Sequence, residues 1–104
     1  MNQVGLYNRF EVKEGERDTM VEILLEAAES MENIEECEVY IVSISEADPT
    51  SVFVYEVWKD EEAHLASLTL DATQRLIKRA KPFMARVERI STLRVEGGKT
   101  GRLI

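Results

Sequence analysis

The chain predicts an α+β fold of the ferredoxin-like type, β-α-β-β-α-β, with a four-stranded antiparallel sheet and helices on one face. Three observations carry that expectation. Apolar residues alternate with period two over residues 4–12, 36–45, 51–58 and 86–95, which marks four strands. Helical spacing intervenes after the first strand and again after the third. The 104 residues, 44% hydrophobic and 32% charged, suffice for one compact core and not for two. Residues 1–104 therefore read as a single domain, with 96–104 as a flexible tail.

The first strand reads VGLYNRFEV. Val4, Leu6, Asn8, Phe10 and Val12 share one face, and Asn8 alone interrupts its apolar character. A buried amide must find partners, so Asn8 is either satisfied by backbone or aimed into a cavity. Lys13 to Arg17 form a turn. Asp18 or Thr19 can cap the next helix, with Glu22 as return partner of a Thr19 capping box. Met20, Ile23, Leu24, Ala27 and Met31 make its apolar stripe, and it ends near 31–33.

Strand two, 36–45, is apolar on both faces: Val39 and Ile41 point one way, Tyr40, Val42 and Ile44 the other. An interior strand, or one covered on both sides, is expected. Residues 46–50 form a turn cluster, so strands two and three read as a hairpin with a long loop. The third strand ends at Trp58, where the period changes. Asp60 suits an N-cap, and Glu61 and Glu62 suit the positive end of a helix dipole. A short helix over 63–68 and a second run from Leu70 or Asp71 to Ala80 follow, until Pro82 ends it. In the last strand Val87, Arg89, Ser91, Leu93 and Val95 share a face. Arg102, Leu103 and Ile104 could dock on a neighbour. With the helices on one side, Tyr7, Tyr40, Val42 and Ile44, joined by Phe53 and Tyr55, load the other face too heavily to stay wet. A homodimer packed sheet on sheet is the expected remedy.

Charge and cysteine narrow the function. A formal net charge of -7 argues against nucleic acid as the main partner. The basic residues near the C-terminus, Arg89 among them, are interleaved with apolar ones and read as solvated faces. Cys37 is the single cysteine. It excludes a disulfide framework and a Cys-rich zinc site, and it reads as a small buried residue. With no apolar leader and no run of about 18 apolar residues, a cytoplasmic protein without a membrane partner is expected.

Candidate chemistry gathers at the strand-to-helix corner, which holds the lone Trp and the lone His. His64 exchanges protons near neutral pH and is the natural proton acceptor, unless it only packs its helix. Trp58 is either core or the wall of a ligand cavity, where its ring could stack on an aromatic substrate. Glu56 either pairs with a basic residue across the sheet or contacts substrate. Tyr55 belongs to the same run as a substrate-binding candidate.

The run Tyr55-Glu56-Val57-Trp58-Lys59-Asp60-Glu61-Glu62-Ala63-His64-Leu65-Ala66-Ser67-Leu68 resembles the E-x-W-x-x-x-x-A-H-x-A-S-L signature of antibiotic biosynthesis monooxygenase-type domains. These include quinol monooxygenases of the dimeric α/β-barrel superfamily. Gly15-Glu16-Arg17, Cys37 with Tyr40, Ala80-Lys81-Pro82-Phe83 and Gly97-Gly98-Lys99 fall in register, so the resemblance spans about 4–101. It implies a homodimer with a small hydrophobic cavity between sheet and helices in each subunit. It implies an oxidoreductase that oxidises a quinol-like or polycyclic phenolic substrate with dioxygen and needs no metal, flavin or haem cofactor. In that setting Asn8 orients oxygen or substrate, His64 accepts a proton, and Trp58, Glu56 and Tyr55 bind substrate. Haem-degrading relatives share the fold and use a first-strand Asn, a third-strand Trp and a later helical His. Asn8 and Trp58 match, but 71–81 contains no His and His64 comes earlier. A dimeric, non-enzymatic module that holds a small apolar ligand or serves in stress is the other alternative, since one scaffold hosts unrelated functions.

Overall fold

The computed structural model describes residues 3–99. The element order is β1 (Val4–Val12), α1 (Arg17–Ser30), β2 (Cys37–Ser45), β3 (Asp48–Trp58), α2 (Glu61–Ser67), α3 (Asp71–Ala80), a 3-10 turn (Lys81–Phe83) and β4 (Met84–Arg94). The strands form one antiparallel sheet in the order β2-β3-β1-β4. The ferredoxin-like α+β architecture expected from the alternation is present, with the second helical region divided into α2 and α3. Among the described residues no helix is long and apolar enough to cross a membrane.

The core lies between the sheet and the helices. Met20, Ile23 and Leu24 of α1 pack on Val52 and Val54 of β3, with Val12 and Ala80 closing the cluster. Each large side chain buried there contributes roughly 1.5–3 kcal/mol. A second cluster joins Leu6, Met31 and the fully buried Trp58. The α1 stripe is the one its spacing predicts, but its start differs. The helix begins at Arg17 without a side-chain cap, so the Thr19 box does not form. Gly15 turns the chain in the left-handed region at φ 81°. The Arg17 guanidinium then donates to the carbonyls of Ser45 (3.1 Å) and Asp48 (3.3 Å), tying the helix to the β2–β3 hairpin. At α2 the expected cap is present: Asp60 accepts from the Ala63 N–H at 2.8 Å.

Three strand expectations are corrected. The β2–β3 loop is short, because Asp48, Pro49 and Thr50 belong to β3. Pro49 is tolerated there because pairing with β1 reaches only to Glu11 opposite Ser51, so its missing N–H breaks no bond to β1. Second, β2 is an edge strand. Tyr40 and Val42 face the helices, not the open side, because they pair with Glu56 and Val54 on the core face of β3. Alternation separates the two sets but does not say which is covered. Third, Tyr7 pairs with Ser91 while the adjacent Asn8 pairs with Arg89, which leaves Ile90 as the extra residue of a bulge. The bulge turns Arg89 and Val87 to the helix side and Ser91 and Leu93 to the other.

Tyr7, Phe53 and Tyr55 do stand on the open face. The Tyr7 ring lies 6.2 Å from Phe53 and 6.4 Å from Tyr55. Tyr55 covers Gly5, where a Cβ would meet its hydroxyl at 2.9 Å. The expected docking of Arg102, Leu103 and Ile104 lies outside the described residues.

Candidate functional site

A cavity of about 250 Å³ lies between the sheet and the three helices. Its helical walls are mostly apolar: Met20, Ile23, Leu24, Ala27 and Met31 from α1, Leu76 and Ile77 from α3. The polar groups come from the sheet floor and from α2. Asn8 projects from β1, Tyr40 from β2, Glu56 from β3, Arg89 from β4 and His64 from α2. The period-two geometry of four strands brings these side chains onto one surface. The α3 wall adds Thr73, whose Oγ1 is buried without a partner among the described residues. A wider, shallow depression outside α3 is lined by Asp71, Arg75, Lys78 and Lys81 and shares none of this enclosure.

The Arg89 Nε–H donates to Asn8 Oδ1, and its Nη1 donates to Thr92 Oγ1 at 3.3 Å. A guanidinium has no acceptor, so the Asn8 carbonyl oxygen is the atom that faces it. The Asn8 NH2 group is thereby left as a donor at the cavity floor. Glu56 Oε1 accepts from Trp58 Nε1 at 2.9 Å, a local bond between two residues on the same face of β3. The His64 Nε2 stands 4.0 Å from the same oxygen. The His64 ring meets the Trp58 ring edge-on, with centroids 5.6 Å apart. Ser67 Oγ donates to the His64 carbonyl at 2.6 Å.

Burial drives the electrostatics. It pushes the Glu56 carboxyl above its ordinary range, while the Trp58 N–H and the Arg89 charge pull it back. Burial also pushes His64 down, and Arg89 pushes it further, against a weaker pull from Glu61; the imidazole is neutral at pH 7. Burial, then Glu56 and Cys37, push the Tyr40 phenol up, so it stays protonated. Burial and Glu56 push the Cys37 thiol up to about 11, which leaves it inert as a nucleophile. Among the described residues no three His, Cys, Asp or Glu side chains stand close enough to share a metal ion.

Of the residues singled out from sequence, Asn8, Glu56 and His64 meet at the cavity. Trp58 does not reach it. It is fully buried behind Glu56 against Leu6 and Met31, so its indole N–H, not its ring face, serves the site. Tyr55 lies on the opposite face of the sheet, against Tyr7 and over Gly5. Among the described residues Glu56 forms no ion pair with a Lys or Arg across the sheet, though the Arg89 charge acts on it; Leu6 and Tyr40 are its neighbours there. Sequence reasoning missed Arg89 and Tyr40. Arg89 reads as one of several solvated cations, and only the bulge at Ile90 turns it inward beside Asn8.

Comparison with known proteins agrees with this architecture. Residues 3–79 match the antibiotic biosynthesis monooxygenase family. A protein of Chloroflexus aurantiacus J-10-fl, provisionally named an antibiotic biosynthesis monooxygenase, is 30% identical with a TM-score of 0.85, covering 94% of this chain and 97% of that one. A Deinococcus radiodurans protein of the same provisional name is 17% identical with a TM-score of 0.75, over 97% and 98% of the two chains. A conserved protein of Methanosarcina mazei Go1 is 18% identical with a TM-score of 0.80, over 90% and 93%. These last two share the fold. No curated protein matches the chain. The chain belongs to the antibiotic biosynthesis monooxygenase family.

Proposed function

We propose that this chain is a cofactor-independent monooxygenase that oxidises a quinol-like or polycyclic phenolic molecule with dioxygen. The observation that carries the reading is an apolar cavity with polar groups converging on its floor. A deprotonated quinol is electron-rich enough to reduce dioxygen itself. The protein then has to exclude water, hold the ring, remove a proton and stabilise the negative charge that develops. The Asn8 NH2 and the Arg89 charge suit that oxyanion, and the Glu56–His64 pair suits the proton. The atoms balance without an outside reductant: a quinol with a free ring position and dioxygen give the hydroxyquinone and water. The cavity volume, about 250 Å³, falls just under the roughly 300–1,000 Å³ typical of ligand pockets, which favours one or two rings over larger skeletons.

The test is oxygen uptake by purified, metal-free protein supplied with reduced benzo- and naphthoquinols. One dioxygen consumed per hydroxyquinone formed supports the reading. No uptake above buffer across quinols and anthrone-like phenols overturns it, and saturable binding without uptake would favour a ligand-holding module instead.

The same proposal includes a homodimer. Tyr7, Phe53 and Tyr55 lie on a sheet face that no helix covers among the described residues, with Leu93 of β4 exposed at 44%. Sheet-on-sheet packing would bury that patch. Sedimentation at twice the 11.9 kDa chain mass is the expected result, and Phe53→Lys is expected to shift it to monomer.

A further inference from the structure

We infer that Glu56, rather than His64, takes the proton from the bound substrate hydroxyl. The inference rests on the monooxygenase reading above and assigns its first step. Three observations lead to it, and a fourth is neutral. Glu56 is the one carboxylate lining the cavity among the described residues. The Trp58 N–H holds its Oε1 at 2.9 Å, which orients the carboxylate while Oε2 remains for a ligand. Asn8 and Arg89, the groups that suit an oxyanion, share the same floor. Glu56 and His64 are buried alike, with side chains 10% and 11% exposed, so exposure does not distinguish them.

Charge distinguishes them. The groups that face Glu56 are Trp58 on its own strand, Tyr40 and Cys37 on β2, Asn8 on β1, Arg89 on β4 and His64 on α2. The cavity residues of α1 and α3 are uncharged. Before transfer the site holds Glu56 as an anion, Arg89 as a cation and a neutral substrate. If Glu56 takes the proton, the negative charge moves from carboxylate to substrate oxygen and the number of buried charges stays the same. If His64 takes it, the site gains an imidazolium beside Arg89 and a second anion beside Glu56. New charges in a low-dielectric site carry a large desolvation penalty. Burial, which raises the affinity of Glu56 for a proton and lowers that of His64, acts in the same direction.

The step is balanced. The substrate O–H bond breaks, its electron pair stays on the substrate oxygen, and an O–H bond forms at Glu56. Dioxygen takes two electrons from the ring and becomes a peroxide on a ring carbon. Its distal oxygen receives the proton back from Glu56; the ring C–H bond at the peroxide carbon then breaks, its electron pair forms the carbonyl as the O–O bond cleaves, and its proton joins the departing hydroxide, which leaves as water. His64 Nε2, 4.0 Å from Oε1, needs a shift of about 1 Å to reach hydrogen-bond length. At that distance it makes no hydrogen bond to the carboxylate, which Trp58 alone orients among the described residues.

The experiment compares the wild type with Glu56→Gln and His64→Gln, using 2-naphthol as an absorbing probe and a naphthoquinol as substrate. Gln is isosteric with Glu and retains an acceptor for the Trp58 N–H, and near-ultraviolet circular dichroism checks that each variant is folded. Without oxygen at pH 7, the wild type is expected to show the naphtholate band on binding. Glu56→Gln should bind the probe as the neutral phenol, and His64→Gln should keep the band. With oxygen, Glu56→Gln should lose about 10²–10⁴-fold in kcat with KM within a few-fold, the range of a lost general base. Its kcat should also lose the acid limb of the pH profile. His64→Gln should lose less than tenfold and keep that limb. Absence of the band in the wild type, or its loss in His64→Gln with retention in Glu56→Gln, would overturn the assignment. A band that follows Glu56 with no quinol turnover would leave the proton site in place and defeat the monooxygenase reading alone.

Discussion

Asn8→Asp is expected to lower kcat by about 10²–10³-fold, the usual effect of removing one oxyanion donor. The substitution is chosen for what it preserves. Arg89 Nε–H donates to Asn8 Oδ1, and a carboxylate at position 8 still accepts that bond. What disappears is the NH2 group at the cavity floor, replaced by an acceptor that repels a developing oxyanion. The fold should hold, since the new anion lies against the Arg89 cation. KM should change less than kcat, because the donor acts most strongly where charge develops. Asn8→Ala gives a less specific result: it leaves the Arg89 Nε–H without its partner, at about 1–3 kcal/mol. Steady-state kinetics with a naphthoquinol beside thermal unfolding separates the two effects. Unchanged kcat in a folded Asn8→Asp would remove the donor role.

Trp58→Ala is expected to lose about 3–5 kcal/mol of stability, as for other fully buried aromatic side chains. Trp58 packs with Leu6 and Met31 and has no exposed surface. Trp58→Phe divides that loss into parts. It keeps most of the ring volume and removes the N–H that Glu56 Oε1 accepts. That bond steadies the charged carboxylate, so its removal matters when Glu56 is ionised. The folded pKa of Glu56 is raised above its ordinary value of 4.5. A raised carboxyl contributes stability that is full below 4.5 and lost as pH rises through the folded pKa. Losing the N–H raises that pKa further. The deficit of Trp58→Phe relative to wild type should therefore have a constant part from the lost ring volume, already present at pH 4, and grow by about 1–3 kcal/mol once the carboxyl is charged. Urea unfolding at several pH values measures it. A deficit independent of pH would mean that the indole N–H does not act on the Glu56 charge.

Legibility differed between fold and site for physical reasons. Alternation over VGLYNRFEV placed Asn8 on the covered face, and the change of period after Trp58 located the corner that carries Glu56 and His64. Those are local properties of the chain. Membership of a motif says nothing about which side of a sheet a residue takes, and the odd spacing of Tyr55 from Glu56 sends it to the open face, away from the cavity. The role of Trp58 was half legible. Its burial follows from its size, but the choice between ring face and N–H depends on Glu56 two residues earlier folding back onto it. The Thr19 cap failed because Gly15 and the Arg17 contacts to the hairpin start the helix earlier.

By itself the sequence determined the elements, their order, the α1 stripe and the family signature, because periodicity and capping act between near neighbours. The tertiary structure alone decided that Tyr40 looks inward, that Arg89 crosses to the cavity face at the Ile90 bulge, and that Asn8 presents its amide hydrogens there. Those outcomes depend on strand pairing and register between residues as far apart as Asn8 and Arg89. A single extra residue in one strand reverses every side chain beyond it, and no local pattern encodes which register wins.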